Sequence, residues 1–304
     1  MFILPKESKK IGFGFYLLGS LVVILINFLG QIPLVVALFE SGGSPDPNNP
    51  MAALNEISPN YRLFLLLLPF AVGVAGLWLV VRKLHERSML SIISTRPTMD
   101  WSRVRFAFVL WSCIVLIFFG IEYVLHPENY RWNFDPYPFA GMLIIAVLLV
   151  PLQTTLEELL FRGYLLQGFS KIVPRPWFAW LMTSIIFGLL HIYNPEIAKM
   201  GYGLLAFYIG TGMFWGLLTL MDDGNELAIG FHAANNLVAA ILVTADWTAF
   251  QTNSLFIDVS DPQLTFSTFG ELFLIYPLLF WLLQLKYQWS TIPAKLFSNP
   301  ASTE

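Results

Sequence analysis

Apolar residues along this chain fall into eight long stretches separated by short polar connections: Ile11–Phe39, Tyr61–Val81, Val104–Leu125, Phe139–Leu160, Trp177–Tyr193, Tyr202–Met221, Leu227–Val243 and Phe266–Leu285. A helix needs roughly 20 apolar residues to cross the hydrocarbon core of a bilayer. Most of these stretches approach that length, so the pattern predicts an all-α, polytopic membrane protein with about eight transmembrane helices. The connections carry turn chemistry. Ser41–Pro50 is rich in Gly, Ser, Pro and Asn, and Asp222–Glu226 reads Asp-Asp-Gly-Asn-Glu. No internal repeat or soluble domain interrupts the pattern. We read residues 1–304 as a single membrane domain.

Composition agrees. The chain is 56% hydrophobic and 12% charged, with a mean hydropathy of +0.65. Soluble domains carry about 25% charged residues, so most of this surface is expected to meet lipid. The net charge of -3 offers nothing for a nucleic acid. Lys6, Lys9 and Lys10 precede the first apolar run, but that run is too long for the core of a cleaved signal, so it reads as a membrane helix. Cys113 cannot form an internal disulfide because it is the one cysteine of the chain, and it reads as a small packing residue.

Basic residues orient the chain. With the N-terminus inside, 14 of the 17 Lys and Arg fall in inside segments, and Arg62, Arg131 and Lys199 fall outside. The positive-inside bias therefore predicts a cell-membrane protein with both termini cytoplasmic. Pro33, Pro69 and Pro151 lie inside apolar stretches, where each frees a carbonyl and kinks its helix. Gly212 and Gly216 form a Gly-x-x-x-Gly pair that suits close helix packing.

Ionisable groups inside a bilayer cost several kcal/mol and mark function. Here they form three patterns: Glu157-Glu158-x-x-x-Arg162 on helix four, Phe187-x-x-x-His191 on helix five and His232-x-x-x-Asn236 on helix seven. Glu158 and Arg162, four apart, share a helical face and can pair. Glu157, offset by about 100°, has no obvious partner in its own helix and suits a general base. His232 and Asn236 also share a face and can both donate to a developing oxyanion. Asn235 points off that face. Each pattern alone also fits packing: an architectural ion pair, a satisfied histidine, or a helix–helix hydrogen bond.

Hairpin arithmetic brings the patterns together. Glu157 lies 17 residues before Pro174 and His191 lies 17 after it. Equal arms put the two at similar depth, about 25 Å from the turn, which permits a shared water. His232 is eight residues beyond Gly224, about 12 Å from its own turn. For the three to meet, the polar segment Tyr164–Arg175 must project into the cytoplasm, with Asn194-Pro195-Glu196 at membrane depth. A pocket opening laterally or toward the cytoplasm is then expected beside them.

The ordered set Glu-Glu-x-x-x-Arg, Phe-x-x-x-His and His-x-x-x-Asn resembles the CAAX protease and bacteriocin-processing family, also called the Abi family, which includes the type II CAAX prenyl endopeptidases. The motifs span Glu157 to Asn236, within a core at about 139–243; the first three helices carry no matching motif. The resemblance implies an intramembrane protease acting on a membrane-associated peptide or protein. Glu157 and His191 would activate the attacking water, His232 and Asn236 would stabilise the oxyanion, and Glu158 and Arg162 would position the site. A metal-free glutamate mechanism is favoured. Zinc is the alternative, because one Glu and two His are zinc ligand types. The rival readings are a silent scaffold that keeps the motifs and a transporter using Glu and His as a proton relay.

Overall fold

The computed structural model describes residues 2–3, 10, 12–42 and 52–298. Lys6, Lys9, most of the Ser41–Pro50 connection and the Asn299–Glu304 tail lie outside the described residues. Six helices are long and apolar enough to cross a membrane: α1 (Phe13–Glu40), α2 (Pro59–Leu84), α3 (Trp101–Leu125), α4 (Pro136–Phe169), α5 (Pro176–Tyr193) and α6 (Leu204–Asp222). The seventh, α7 (Glu226–Leu242), has 17 residues. The eighth stretch is helical without interruption but changes geometry along its length: 3-10 at Phe266–Phe269, π at Glu271–Ile275, then α8 (Tyr276–Tyr287). Chain and composition define a multi-pass, all-α membrane protein.

Among the described residues the connections gather at two ends of the bundle. One end collects the N-terminus, the α2–α3, α4–α5 and α6–α7 connections and the C-terminal segment. There the Phe2 amide donates to Asp223 Oδ1 at 3.0 Å and Trp289 Nε1 to Asp222 Oδ1 at 3.0 Å. The acidic α6–α7 turn is held by Arg96 of the α2–α3 connection and by Arg103 in the first turn of α3. Arg96 pairs with Asp222 at 2.9 Å and with Glu226 at 3.1 Å, and Arg103 with Asp222 at 3.4 Å. These bases therefore hold the bundle together. At the opposite end Asn60 donates to the Pro138 carbonyl and Asn253 to Asn60. A small sheet lies there, in the order β1 (Tyr130–Trp132), β3 (Phe256–Asp258), β2 (Val243–Thr244). Its β1–β3 pair is antiparallel and its β2–β3 pair parallel.

Local chemistry sets the helix starts. Asp100 caps α3 by accepting from the Ser102 and Arg103 amides, and Asp135 caps α4 before Pro136. Both caps satisfy amides that have no partner within the helix. Pro33, Pro69 and Pro151 all sit inside their helices as expected.

Helix α4 departs furthest from the hydrophobic reading. It continues nine residues past Leu160, through a π-helical segment at Leu159–Leu165. The polar residues there are not a free projection: Tyr164 and Gln167 are fully buried. Gln167 Nε2 donates to the carbonyls of Phe2 and Ser91, and Ser170 to that of Ile3. The N-terminal residues thus cover the end of α4. Cys113 also differs, being exposed on the outer surface of α3 where it was expected to pack.

Helices α5 and α6 pack closely through small residues. A Cβ on Gly212 would sit 3.3 Å from Ser184 Cα, and one on Gly216 would sit 2.9 Å from Trp180 Cδ1. Gly188 does the same from the α5 side, facing the Ile209 backbone nitrogen at 2.8 Å. This contact brings the end of α5, with His191, against α6.

Candidate active site

Helices α4, α5 and α7 bring the three sequence patterns into one cluster. Its foundation is Glu158, which is fully buried. Arg162 Nη1 donates to Glu158 Oε1 at 3.1 Å, as the i, i+4 spacing predicts, and Arg162 is fully buried too. A buried guanidinium needs more than one partner. Here it lies over the Phe187 ring at 4.1 Å and near the Trp215 ring at 5.6 Å, where ring faces attract a cation. Asn225, from the α6–α7 turn, donates to the backbone carbonyl of Glu158 at 2.9 Å and accepts from Thr219 at 2.8 Å. That contact sits where α4 changes from α to π geometry, a feature frequent at functional sites.

His232, 3% exposed, sits between the two glutamates. Its Nδ1 is 2.7 Å from Glu158 Oε1, and its Nε2 is 3.7 Å from Glu157 Oε2. Because a carboxylate paired with Arg162 only accepts, Nδ1 carries the proton and Nε2 is the nitrogen turned to Glu157. Trp215 stacks on the imidazole at 4.1 Å between centroids.

His191 stands at the end of α5, in a 3-10 turn at Leu190–Tyr193. Its Nδ1 is 2.8 Å from the Phe187 carbonyl, which only accepts, so Nε2 carries the lone pair in the neutral ring. Tyr208 of α6 stacks on it at 4.2 Å. The Phe187 ring touches both histidines, at 4.8 Å from His191 and 6.3 Å from His232. No hydrogen bond joins Glu157 to His191 among the described residues.

Glu157 is half-buried and, against the sequence reading, has a partner in its own helix. Gln153 Nε2 donates to Glu157 Oε1. The two are four apart on one face, so the spacing that pairs Glu158 with Arg162 applies here too. Asn236 Nδ2 donates to Gln153 Oε1 at 3.0 Å and its Oδ1 accepts from Asn235 at 3.1 Å. Asn236 therefore reaches Glu157 through Gln153. Asn235, pointing off the His232 face, accepts from Trp111 Nε1 at 3.1 Å. Sequence reasoning missed Gln153, Asn225, Trp215 and Trp111. Only Gln153 carried a local signal.

Two open cavities lie away from the two histidines and Glu157. One of about 350 Å³ is lined by Trp111, Phe118, Glu122, Tyr130 and Glu271; the other, of about 630 Å³, lies by Arg62, Arg131 and Asp246 at the end that carries the small sheet. Among the described residues no three His, Cys, Asp or Glu side chains converge as a metal site requires. One Glu157 oxygen is also taken by the Gln153 amide.

Two carboxylates, two oriented imidazoles and an amide are thus gathered inside the helical membrane bundle. The type II CAAX prenyl endopeptidase Rce1-like family model matches residues 136–238, which hold all three motifs. The chain is also 31% identical over 245 residues to an uncharacterized protein, YyaK, of Bacillus subtilis (strain 168), covering 80% of this chain and 82% of that one. No solved structure matches. The chain belongs to the Rce1-like family of type II CAAX prenyl endopeptidases.

Proposed function

We propose that this protein is an intramembrane endopeptidase that hydrolyses a peptide bond in a membrane-associated peptide or protein by a water activated at Glu157 and His191. The observation that carries this reading is the His232 ring, held by Glu158 at Nδ1 with Nε2 turned to Glu157 3.7 Å away. A packing histidine needs one partner; this one is oriented toward a second, half-buried carboxylate.

In the proposed reaction Glu157 takes a proton from water as the oxygen attacks the scissile carbonyl carbon. The carbonyl π pair moves onto oxygen. His232, when it carries both protons, donates from Nε2 to that oxyanion, stabilised as a cation by Glu158. Asn236 has two amide hydrogens and spends one on Gln153, leaving the second for the same oxyanion. The C–N bond then breaks, and the proton held by Glu157 passes to the leaving nitrogen. His191, fixed by the Phe187 carbonyl, accepts a hydrogen bond from the water at Nε2 and orients it.

The end of the bundle that holds both described chain termini carries most of the basic residues. The same reading places it in the cytoplasm, so both termini are cytoplasmic and the protein sits in the cell membrane. The test is hydrolysis of a labelled membrane peptide by purified protein, with Glu157→Ala as control and a chelator arm to separate glutamate from metal chemistry.

A further inference from the structure

Four side chains from three helices form a hydrogen-bond chain that ends on Glu157. Trp111 Nε1 of α3 donates to Asn235 Oδ1 of α7 at 3.1 Å. Asn235 Nδ2 donates to Asn236 Oδ1 at 3.1 Å, and Asn236 Nδ2 to Gln153 Oε1 of α4 at 3.0 Å. Gln153 Nε2 then donates to Glu157 Oε1. The direction of this chain is forced by its ends. An indole N–H can only donate and a carboxylate can only accept. Each of the three amides between them therefore has one usable orientation out of the two it could adopt. Trp111 is a rigid anchor: it is 2% exposed and packed against the rings of Phe231 and Tyr276, at 5.9 and 5.8 Å.

We infer that Trp111, Asn235, Asn236 and Gln153 form a polarised positioning relay that holds Glu157 by Oε1 and leaves Oε2 as the oxygen that takes the water's proton. The relay rests on the protease reading for its purpose but not for its existence. Glu157 Oε2 is the oxygen turned to His232 Nε2, so fixing Oε1 fixes where the proton is received. A free carboxylate would rotate about its last bond and offer either oxygen. Gln153 is thus a positioning residue for the reaction, and Asn235 acts at one remove, through Asn236.

The test uses the full-length protein in detergent or bilayers with Gln153→Met, which keeps side-chain length but cannot donate, Asn235→Ala, and the double variant. A misplacement of reacting groups by about 1 Å costs on the order of 100-fold. Gln153→Met should lower kcat by roughly 10–100-fold with KM changed by less than about twofold. Asn235→Ala should lower kcat several-fold. Because residues acting as a unit are non-additive, the double variant should be no slower than Gln153→Met. Wild-type kcat in Gln153→Met, or losses that multiply in the double variant, would overturn the relay. A second readout needs no turnover. The infrared carboxylate band of Glu157, assigned by its loss in Glu157→Gln, should shift in both Gln153→Met and Asn235→Ala. A band that does not move in Asn235→Ala overturns the relay. A band that moves in both variants, together with a wild-type protein that cleaves nothing, removes the protease reading and leaves the relay standing.

Discussion

His232 Nδ1 lies 2.7 Å from Glu158 Oε1, the same oxygen that accepts Arg162 Nη1 at 3.1 Å. One buried carboxylate oxygen therefore fixes both the arginine of its own helix and the histidine of α7. The pairing gives Glu158 two tasks. It neutralises the guanidinium, and it orients the imidazole so that Nε2 faces Glu157.

Replacing Glu158 should harm folding as well as chemistry. Glu158→Ala leaves Arg162 buried without its counter-charge, and breaking a buried pair costs about 3–5 kcal/mol. The thermal midpoint in detergent should fall well below that of Glu157→Ala, whose side chain has Gln153 as its hydrogen-bond partner and is partly exposed. Equal midpoints for the two variants would count against the buried Glu158–Arg162–His232 unit.

Asn225 is a separable support. Asn225→Ala removes the donor to the Glu158 carbonyl and the acceptor for Thr219. An unsatisfied buried polar group costs about 1–3 kcal/mol. We expect a lowered thermal midpoint with hydrolysis retained at reduced rate, measured on the same preparation. An unchanged midpoint would mean that the junction in α4 does not depend on Asn225.

Close packing of α5 on α6 should tolerate no added volume at Gly188. Its Cβ would meet the Ile209 backbone nitrogen at 2.8 Å, and backbone cannot swing aside as a side chain can. Overpacking of this kind costs about 1–3 kcal/mol. Gly188→Ala should therefore be less stable than Gly212→Ala, whose nearest atoms, at 3.2 Å, belong to the side chains of Arg162 and Phe187. Thermal midpoints of the two variants give the comparison.

Sidedness is open to direct labelling. Cys113 is exposed and is the one native cysteine, so a Cys113→Ser background removes its signal. In that background Lys171→Cys should react with a membrane-impermeant thiol reagent only from the cytoplasmic face, and Arg131→Cys only from the opposite face. Labelling of both from one face would contradict the crossing of the membrane by α4.

Much of this architecture was readable from the chain because each clear signal was local. Glu158 and Arg162 are four apart, and the runs that became α1 to α6 are long and apolar. Gln153 was equally local to Glu157, yet a neutral amide in an apolar helix draws less notice than a charge. The His232–Glu158 contact joins residues 74 apart, and no spacing rule reports on such a pair. Helix α4 outran its apolar stretch because Tyr164 packs against Tyr16 and His85 while Gln167 donates to the carbonyls of Phe2 and Ser91, a tertiary covering that hydropathy cannot register. The eighth stretch kept its length but not its regularity, since π geometry at Glu271–Ile275 precedes α8.

The central claim is that Glu157 is the base of a hydrolytic site, and one measurement addresses it most directly. Purified wild-type protein and Glu157→Ala, matched for thermal midpoint, are incubated with a labelled membrane peptide, and new amino termini are counted over time. Cleavage by the wild type, with a loss of at least about 100-fold in Glu157→Ala, is the predicted result. Equal cleavage by both proteins would contradict the account.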